Sequence, residues 1–173
     1  MSETGSPGAI CAHWWHQVLG GDDGPARTTR ARLRRCTAAS EALTIDAVHD
    51  LNSRLRAREF RPDADRLTLV AIALAHVAET GELRLATEFG RRAGKDRPRA
   101  LSEQRFQALI RTTRHAELIV PLRRAMAIVR RTRIAVAPMA TDLYFWSENT
   151  RTQWCFQYFG AAEAAPERIS QES

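Results

Sequence analysis

Residues 67–78 read LTLVAIALAHVA, an apolar run interrupted only by Thr68 and His76. At 100° per residue these side chains cover nearly the whole circumference of a helix, which leaves no face for water, so other elements must enclose it. The run is well short of the ~20 residues that a bilayer span needs, and this points to a buried helix at the centre of the N-terminal half. Pro62 precedes it and Asp63 is placed to cap it.

The rest of the chain follows the same period. Apolar residues recur at i, i+3, i+4 and i+7, and no segment sustains a two-residue alternation, so the pattern predicts an all-α protein. Helices are expected over residues 9–19, from Pro25 through the arginine run ending at Arg35, over 44–58, over 67–78 and around Leu83, Leu85 and Phe89. Further helices are expected after a Ser102 cap, around 118–129, from Pro138, and over 154–159 before Gly160. Pro121 either starts its helix late or kinks it. AGKDRPR, with Gly94 and Pro98, marks the boundary between two small packed subdomains. The expectation is a helical bundle architecture of about eight to nine helices, with an N-terminal subdomain at 9–92, a C-terminal subdomain at 100–160, and flexible tails at 1–8 and 161–173. A chain of 173 residues with 44% hydrophobic content can bury such a core.

Charge separates along the chain. Lys plus Arg number 26, and Lys95 is the single lysine, so the net charge of +6 is built from arginine. Residues 27–35 carry five arginines and no acid, 91–99 carry +4, and 105–133 carry eight arginines against Glu117 alone. These segments hold +16 together, leaving −10 for everything else. Segregation of this kind predicts a basic face for a polyanion, because guanidinium groups bind phosphate in a bidentate fork and release its counterions. The bland alternative is an arginine bias with solvated helix faces. On helical geometry Arg111 lies opposite the stripe of Phe106, Leu109 and Ile110, with Arg105 and Arg114 at its flanks. Arg123, Arg124, Arg130 and Arg131 point away from the stripe of Leu118, Leu122, Ala125 and Met126.

Other chemistries find less support. Cys11, His13 and His16 lack a fourth metal ligand and read as a helix end beside tryptophans. Residues 90–96, GRRAGKD, are one residue short of a phosphate loop, end in Asp where a hydroxyl is required, and follow a helix where a strand belongs. Cys155 has no neighbouring His, and the acids are scattered, so neither an enzyme nor a cofactor or metal is expected. Trp14, Trp15, Trp146 and Trp154 sit on apolar stripes and read as core, not as a base-stacking platform. Cys11, Cys36 and Cys155 are odd in number and far apart, which predicts reduced thiols, and the opening MSETGSPG lacks a secretory pattern, which predicts the cytoplasm.

The motifs also stand in a recognisable order: HWWHQVL, ARLRRC, LTLVAIALAHV, LSEQRFQALIRTTRHAELIVPLRRAM, MATDLYFW and TQWCFQYFG. Over about residues 9–160 this order resembles the CasB family, the small subunit of the type I-E CRISPR surveillance complex Cascade. The resemblance implies a non-enzymatic all-α protein of two helical subdomains. It implies two copies along the complex, with guide RNA, target DNA strands and other Cascade subunits as partners and no membrane. It also implies that basic surfaces stabilise the guide RNA and the DNA strands of the R-loop. Arg34 and Arg35 match the paired arginines of the family's early basic helix; Arg105, Arg111, Arg114, Arg123 and Arg124 match its central basic patch; Arg151 matches a basic position before the last helix. Ser147, Glu148 and Asn149 depart from the Gly and basic residues of many relatives, and Pro121 inside the matching LRR helix is also unusual. The competing reading is a stand-alone helical DNA-binding transcriptional regulator that inserts residues 105–114 or 122–131 into the major groove.

Overall fold

The computed structural model describes residues 5–160, so residues 1–4 and the expected tail at 161–173 lie outside the described residues. The apolar run forms α5 (Ala64–Ala75), with the Asp63 carboxylate accepting the Arg66 N–H at 2.8 Å. Every residue from 67 to 75 is buried. Both polar interruptions fold back onto the helix: Thr68 Oγ1 donates to the Ala64 carbonyl at 2.7 Å, and His76 Nδ1 lies 2.8 Å from the Ile72 carbonyl oxygen. Around α5 pack α2 (Gly24–Arg35), α3 (Ala39–Ala42), α4 (Asp46–Arg56), α8 (His115–Ile128), α9 (Val136–Tyr144) and the turn at Trp15–Leu19. The helix is therefore central to both segments of the chain, and a single contiguous core cluster draws residues from each.

Helix α1 (Pro7–Trp14) starts at a Ser6 cap and Pro7, two residues ahead of the expected position, and widens into a π-type turn over Trp15–Leu19. It lies along α9, where the missing Cβ of Gly8 admits the Ala137 carbonyl. At the other end α10 (Glu148–Phe159) packs on α6 (Leu85–Gly90), and Gly90 meets the Tyr158 carbonyl in the same way.

Aromatic residues lock this end to α7 (Glu103–Arg111): the Phe106 and Tyr158 rings stack at 3.9 Å with 3° between their planes, and Tyr158 Oη donates to the Leu101 carbonyl at 2.6 Å. All four tryptophans are buried, as their apolar stripes predicted. Trp15 Nε1 donates to the Leu74 carbonyl at 3.1 Å, Trp146 Nε1 to the Thr112 carbonyl at 2.8 Å, and Trp154 Nε1 to Asp142 at 2.9 Å.

The all-helical expectation is borne out, with ten helices among the described residues, the additional one-turn α3 included. A small parallel sheet, β1 (Glu79–Leu83) against β2 (Arg133–Ile134), replaces the helical start expected at Leu83. Gly81 permits it, since a Cβ there would sit 2.8 Å from the Arg133 carbonyl, and Arg133 Nε donates to Glu79 at 2.8 Å across the pair. Helix α8 begins upstream at His115 and continues through Pro121. Among the described residues no helix is long and apolar enough to cross a membrane.

Close helix approach at the two glycines sets a testable contrast. Gly8→Ala and Gly90→Ala each place a methyl group against backbone and are expected to cost about 1–3 kcal/mol in denaturant unfolding. Gly24→Ala, with open space around it, is expected to be neutral within about 0.5 kcal/mol.

Candidate nucleic-acid interface

The arginine run on α2 does two kinds of work. The last turn of a helix leaves carbonyl groups without intrahelical partners and concentrates partial negative charge there, so a guanidinium group close by satisfies both. Three such ends meet in this molecule. Arg30 Nη1 donates to the Leu19 carbonyl and, at 2.6 Å, to the Gly21 carbonyl, closing the turn after α1. Arg34 Nε donates to the Ala75 carbonyl at the end of α5 at 2.6 Å. Arg123, from α8, donates through Nε to the Arg34 carbonyl at 3.0 Å and also through Nη2, closing α2. Arg34 and Arg123 thus come together across 89 residues of sequence. Burial, followed by repulsion from Arg30 and Arg130, holds the Arg34 guanidinium below its ordinary pKa.

Arg124, the next residue of α8, is exposed. Arg124 shares a groove of about 460 Å³ with the exposed Arg105 of α7, over a floor of Leu101, Ala108, Pro121 and Ala125. Arg111 is exposed on the other flank of α7 and lines a smaller cleft against α10. Arg35 is exposed on the last turn of α2. Among the described residues no carboxylate lies within 4.0 Å of Arg35, Arg105, Arg111, Arg123 or Arg124.

Two of the expected residues stand apart. Arg114 faces Glu117 at 3.8 Å with both side chains exposed, a weak pairing in water. Arg151 is held at 2.5 Å by Glu148 with only 12% of its side chain exposed, so its charge is met within its own helix turn.

Charge counting along the sequence does not single out Arg130, which neighbours Arg34 electrostatically. Nor does it single out Arg99, whose guanidinium lies 4.9 Å from the Tyr158 ring centroid and 5.3 Å from that of Phe159. The exposed Phe156 was legible in principle: α10 buries Thr150, Trp154 and Tyr158 at a four-residue step, and Phe156 falls some 200° from Trp154.

Near the first helix, Cys11 is fully buried and its thiol is pushed up to about 12 by that burial, whereas His13 and His16 face outward. The three do not converge. The histidines border a broad groove of about 720 Å³ with Arg54 and Arg58. Arg54 there already pairs with Asp50 at 3.0 Å and with Gln17 at 2.6 Å.

Residues 29–159 match the family model described as CRISPR-associated protein Cse2. No curated protein matches the chain. Among solved structures, CasB from Thermus thermophilus superposes with a TM-score of 0.66 at 23% identity, covering 90% of this chain and 99% of that one. A CRISPR-associated protein of the Cse2 family, also from Thermus thermophilus, gives 0.66 at 25% identity with the same coverage. A chain of E. coli Cascade bound to a PAM-containing dsDNA target gives 0.59 at 20% identity, covering 88% and 93%. The likeness expected from the ordered motifs is borne out.

The two neighbouring arginines of α8 should separate in their effect on folding. Arg123→Ala removes a charged donor from a helix end and is expected to cost about 1–3 kcal/mol in a denaturant melt. Arg124→Ala should stay within about 0.5 kcal/mol.

A second expectation concerns His76. Burial, with added repulsion from Arg123 and Arg34, holds its imidazole below the ordinary range, against the pull of the Ile72 carbonyl. The folded chain therefore keeps His76 neutral while the unfolded chain takes up a proton below about pH 6.5. The stability His76 contributes is present above that pH and is lost as pH falls toward the depressed folded value. His76→Gln should flatten this part of the Tm-versus-pH curve between about pH 7 and pH 5.

Proposed function

The chain belongs to the CRISPR-associated Cse2 family, and on that premise we propose that it is a non-catalytic subunit of a Cascade-type RNA-guided surveillance complex. In that complex it would lend a cationic surface to guide RNA and to the DNA strands of the R-loop. The observation that supports this reading is the connected set Arg34, Arg123, Arg124 and Arg105. Helix α2 meets the consecutive helices α7 and α8 here, with Arg123 bound to the Arg34 carbonyl and Arg124 sharing a groove with Arg105, and no carboxylate among the described residues lies within 4.0 Å of the last three.

The mechanism follows from the energetics of strand exchange. Replacing a DNA duplex by an RNA–DNA duplex is close to balanced, so protein contacts to a backbone decide the position of equilibrium. Guanidinium groups fixed along a groove hold the displaced strand by its phosphates, and the strand re-pairs less readily. Such contacts carry no sequence information, which suits a subunit whose complex reads sequence by base pairing. Larger Cascade subunits and a second copy of this chain complete the assembly in this reading. Helix-end capping sets Arg34 and Arg123 in place, so their outward edges are pre-organised, while Arg105 and Arg124 supply the more mobile contacts.

The test is a salt titration of single-stranded and scrambled duplex DNA binding, with the purified chain and with the assembled complex. Arg105→Gln with Arg124→Gln should reduce the slope of log affinity against log salt by roughly 1.4 units for a single strand, about 0.7 per lost phosphate contact. Helicity should be unchanged. An unaltered slope removes these residues from the interface, and strong sequence preference for duplex by the chain alone would favour a regulator instead.

A further inference from the structure

Most large apolar side chains of this protein are buried, yet α10 leaves Phe156 76% exposed and Phe159 51% exposed, three residues apart on one side of the helix. Keeping a phenylalanine in water forgoes about 1.5–3 kcal/mol of burial. Phe159 is nonetheless fixed in place. Phe106 and Tyr158 pack edge-on to it with centroids at 6.3 and 4.9 Å, and the guanidinium group of Arg99 covers it at 5.3 Å. Arg99 is itself tied to the Gly90 and Tyr158 carbonyls at 2.9 and 3.0 Å.

Phe159 borders a cleft of about 140 Å³ between α7 and α10, lined also by Phe106, Gln107, Ile110, Arg111 and Cys155. It is well below the ~300–1,000 Å³ of ordinary cofactor or drug-sized pockets. One planar ring system fits its scale, with an apolar wall, one amide and one guanidinium at hand.

We propose that this cleft takes one unpaired base of a single-stranded DNA, which stacks on the Phe159 ring while Arg111 meets the adjoining phosphate, and that the exposed Phe156, three residues away on the same side of α10, stacks a neighbouring base. This deepens the function proposed above and rests on it.

Charge favours nucleic acid over a protein partner. Arg99 covers Phe159 and Arg111 lines the cleft, while the acid paired with Arg99, Glu103, is 3.9 Å away and 56% exposed. The neighbouring exposed positions of α10, Thr152 and Gln153, are uncharged. The cleft lies on the flank of α7 opposite the Arg105–Arg124 groove, so a strand crossing α7, a helix ~10 Å wide, would contact both. A cationic surface interleaved with aromatic rings is the arrangement by which proteins hold single strands without reading sequence, each stacked base contributing a similar amount. Gln107 and Arg111 are the polar side chains of the lining besides the Cys155 thiol; the strand assigned to it is the displaced DNA strand of the function proposed above, and an RNA arm tests that choice.

The experiment uses the full chain and a short single-stranded DNA carrying one 2-aminopurine, whose fluorescence is quenched when it stacks. An abasic strand of equal length and an RNA of the same sequence run in parallel. The expected result is quenching by the wild-type protein, with Phe156→Ala weakening the base-bearing strand about five- to tenfold, the scale of one lost stacking contact. Phe159→Leu should abolish quenching, and the affinity for the abasic strand should not change in either variant. Phe156 is exposed, so its variant should melt like the wild type.

Equal binding of both DNA strands with no effect of Phe156→Ala overturns the base site and leaves the backbone reading intact. Failure to bind either DNA strand overturns both. Quenching by RNA alone overturns the assignment to DNA. A change in sedimenting mass with Phe156→Ala at unchanged quenching assigns the aromatic face to a protein interface and overturns the proposal.

Discussion

Everything else in the structure is arranged around the enclosure of α5. A helix apolar on all sides has no stable position at a surface, and its hydrophobic gain is realised only when partners cover the full circumference. Elements from both halves of the chain do so here, α8 and α9 among them from late in the sequence. The cost is geometric. Gathering short helices around one axis brings their carbonyl ends into the same region, where water is partly excluded and unpartnered carbonyls are expensive.

Arginine answers that cost. The C-terminal ends of α2 and α5 converge near α8, and the guanidinium groups of Arg34 and Arg123 reach the exposed carbonyls. A long side chain with several donors can satisfy a carbonyl with one edge and present another edge to solvent, which a lysine ammonium does less well. Basic residues that a net-charge argument treats alike therefore fall into groups. Arg30, Arg34 and Arg123 support helix ends, Arg114 and Arg151 face acids three residues along the chain, and Arg35, Arg105, Arg111 and Arg124 are exposed.

The aromatic residues divide in a comparable way. Tryptophans and Tyr158 fill the interior and find hydrogen-bond partners there, Trp14 Nε1 being an exception. Phe156 and Phe159 remain at the surface beside arginine. The division follows the helical period: the buried side of α10 is already occupied by Thr150, Trp154 and Tyr158 at a four-residue step.

The amino-acid sequence determined the helical class, the central helix, the Asp63 and Ser102 caps, the buried tryptophans and the clustering of arginine, because each depends on local periodicity or composition. It also carried the family likeness, in the order of its motifs. The tertiary structure alone decided that Arg34 meets Arg123 and that Arg105 and Arg124 face each other across a groove. It also decided that residues 79–83 extend as a strand against 133–134. Those outcomes turn on which helix ends lie side by side and which of several nearby charges or carbonyls a flexible arginine reaches. Distances of that kind arise between segments far apart in the chain, and no local pattern specifies them.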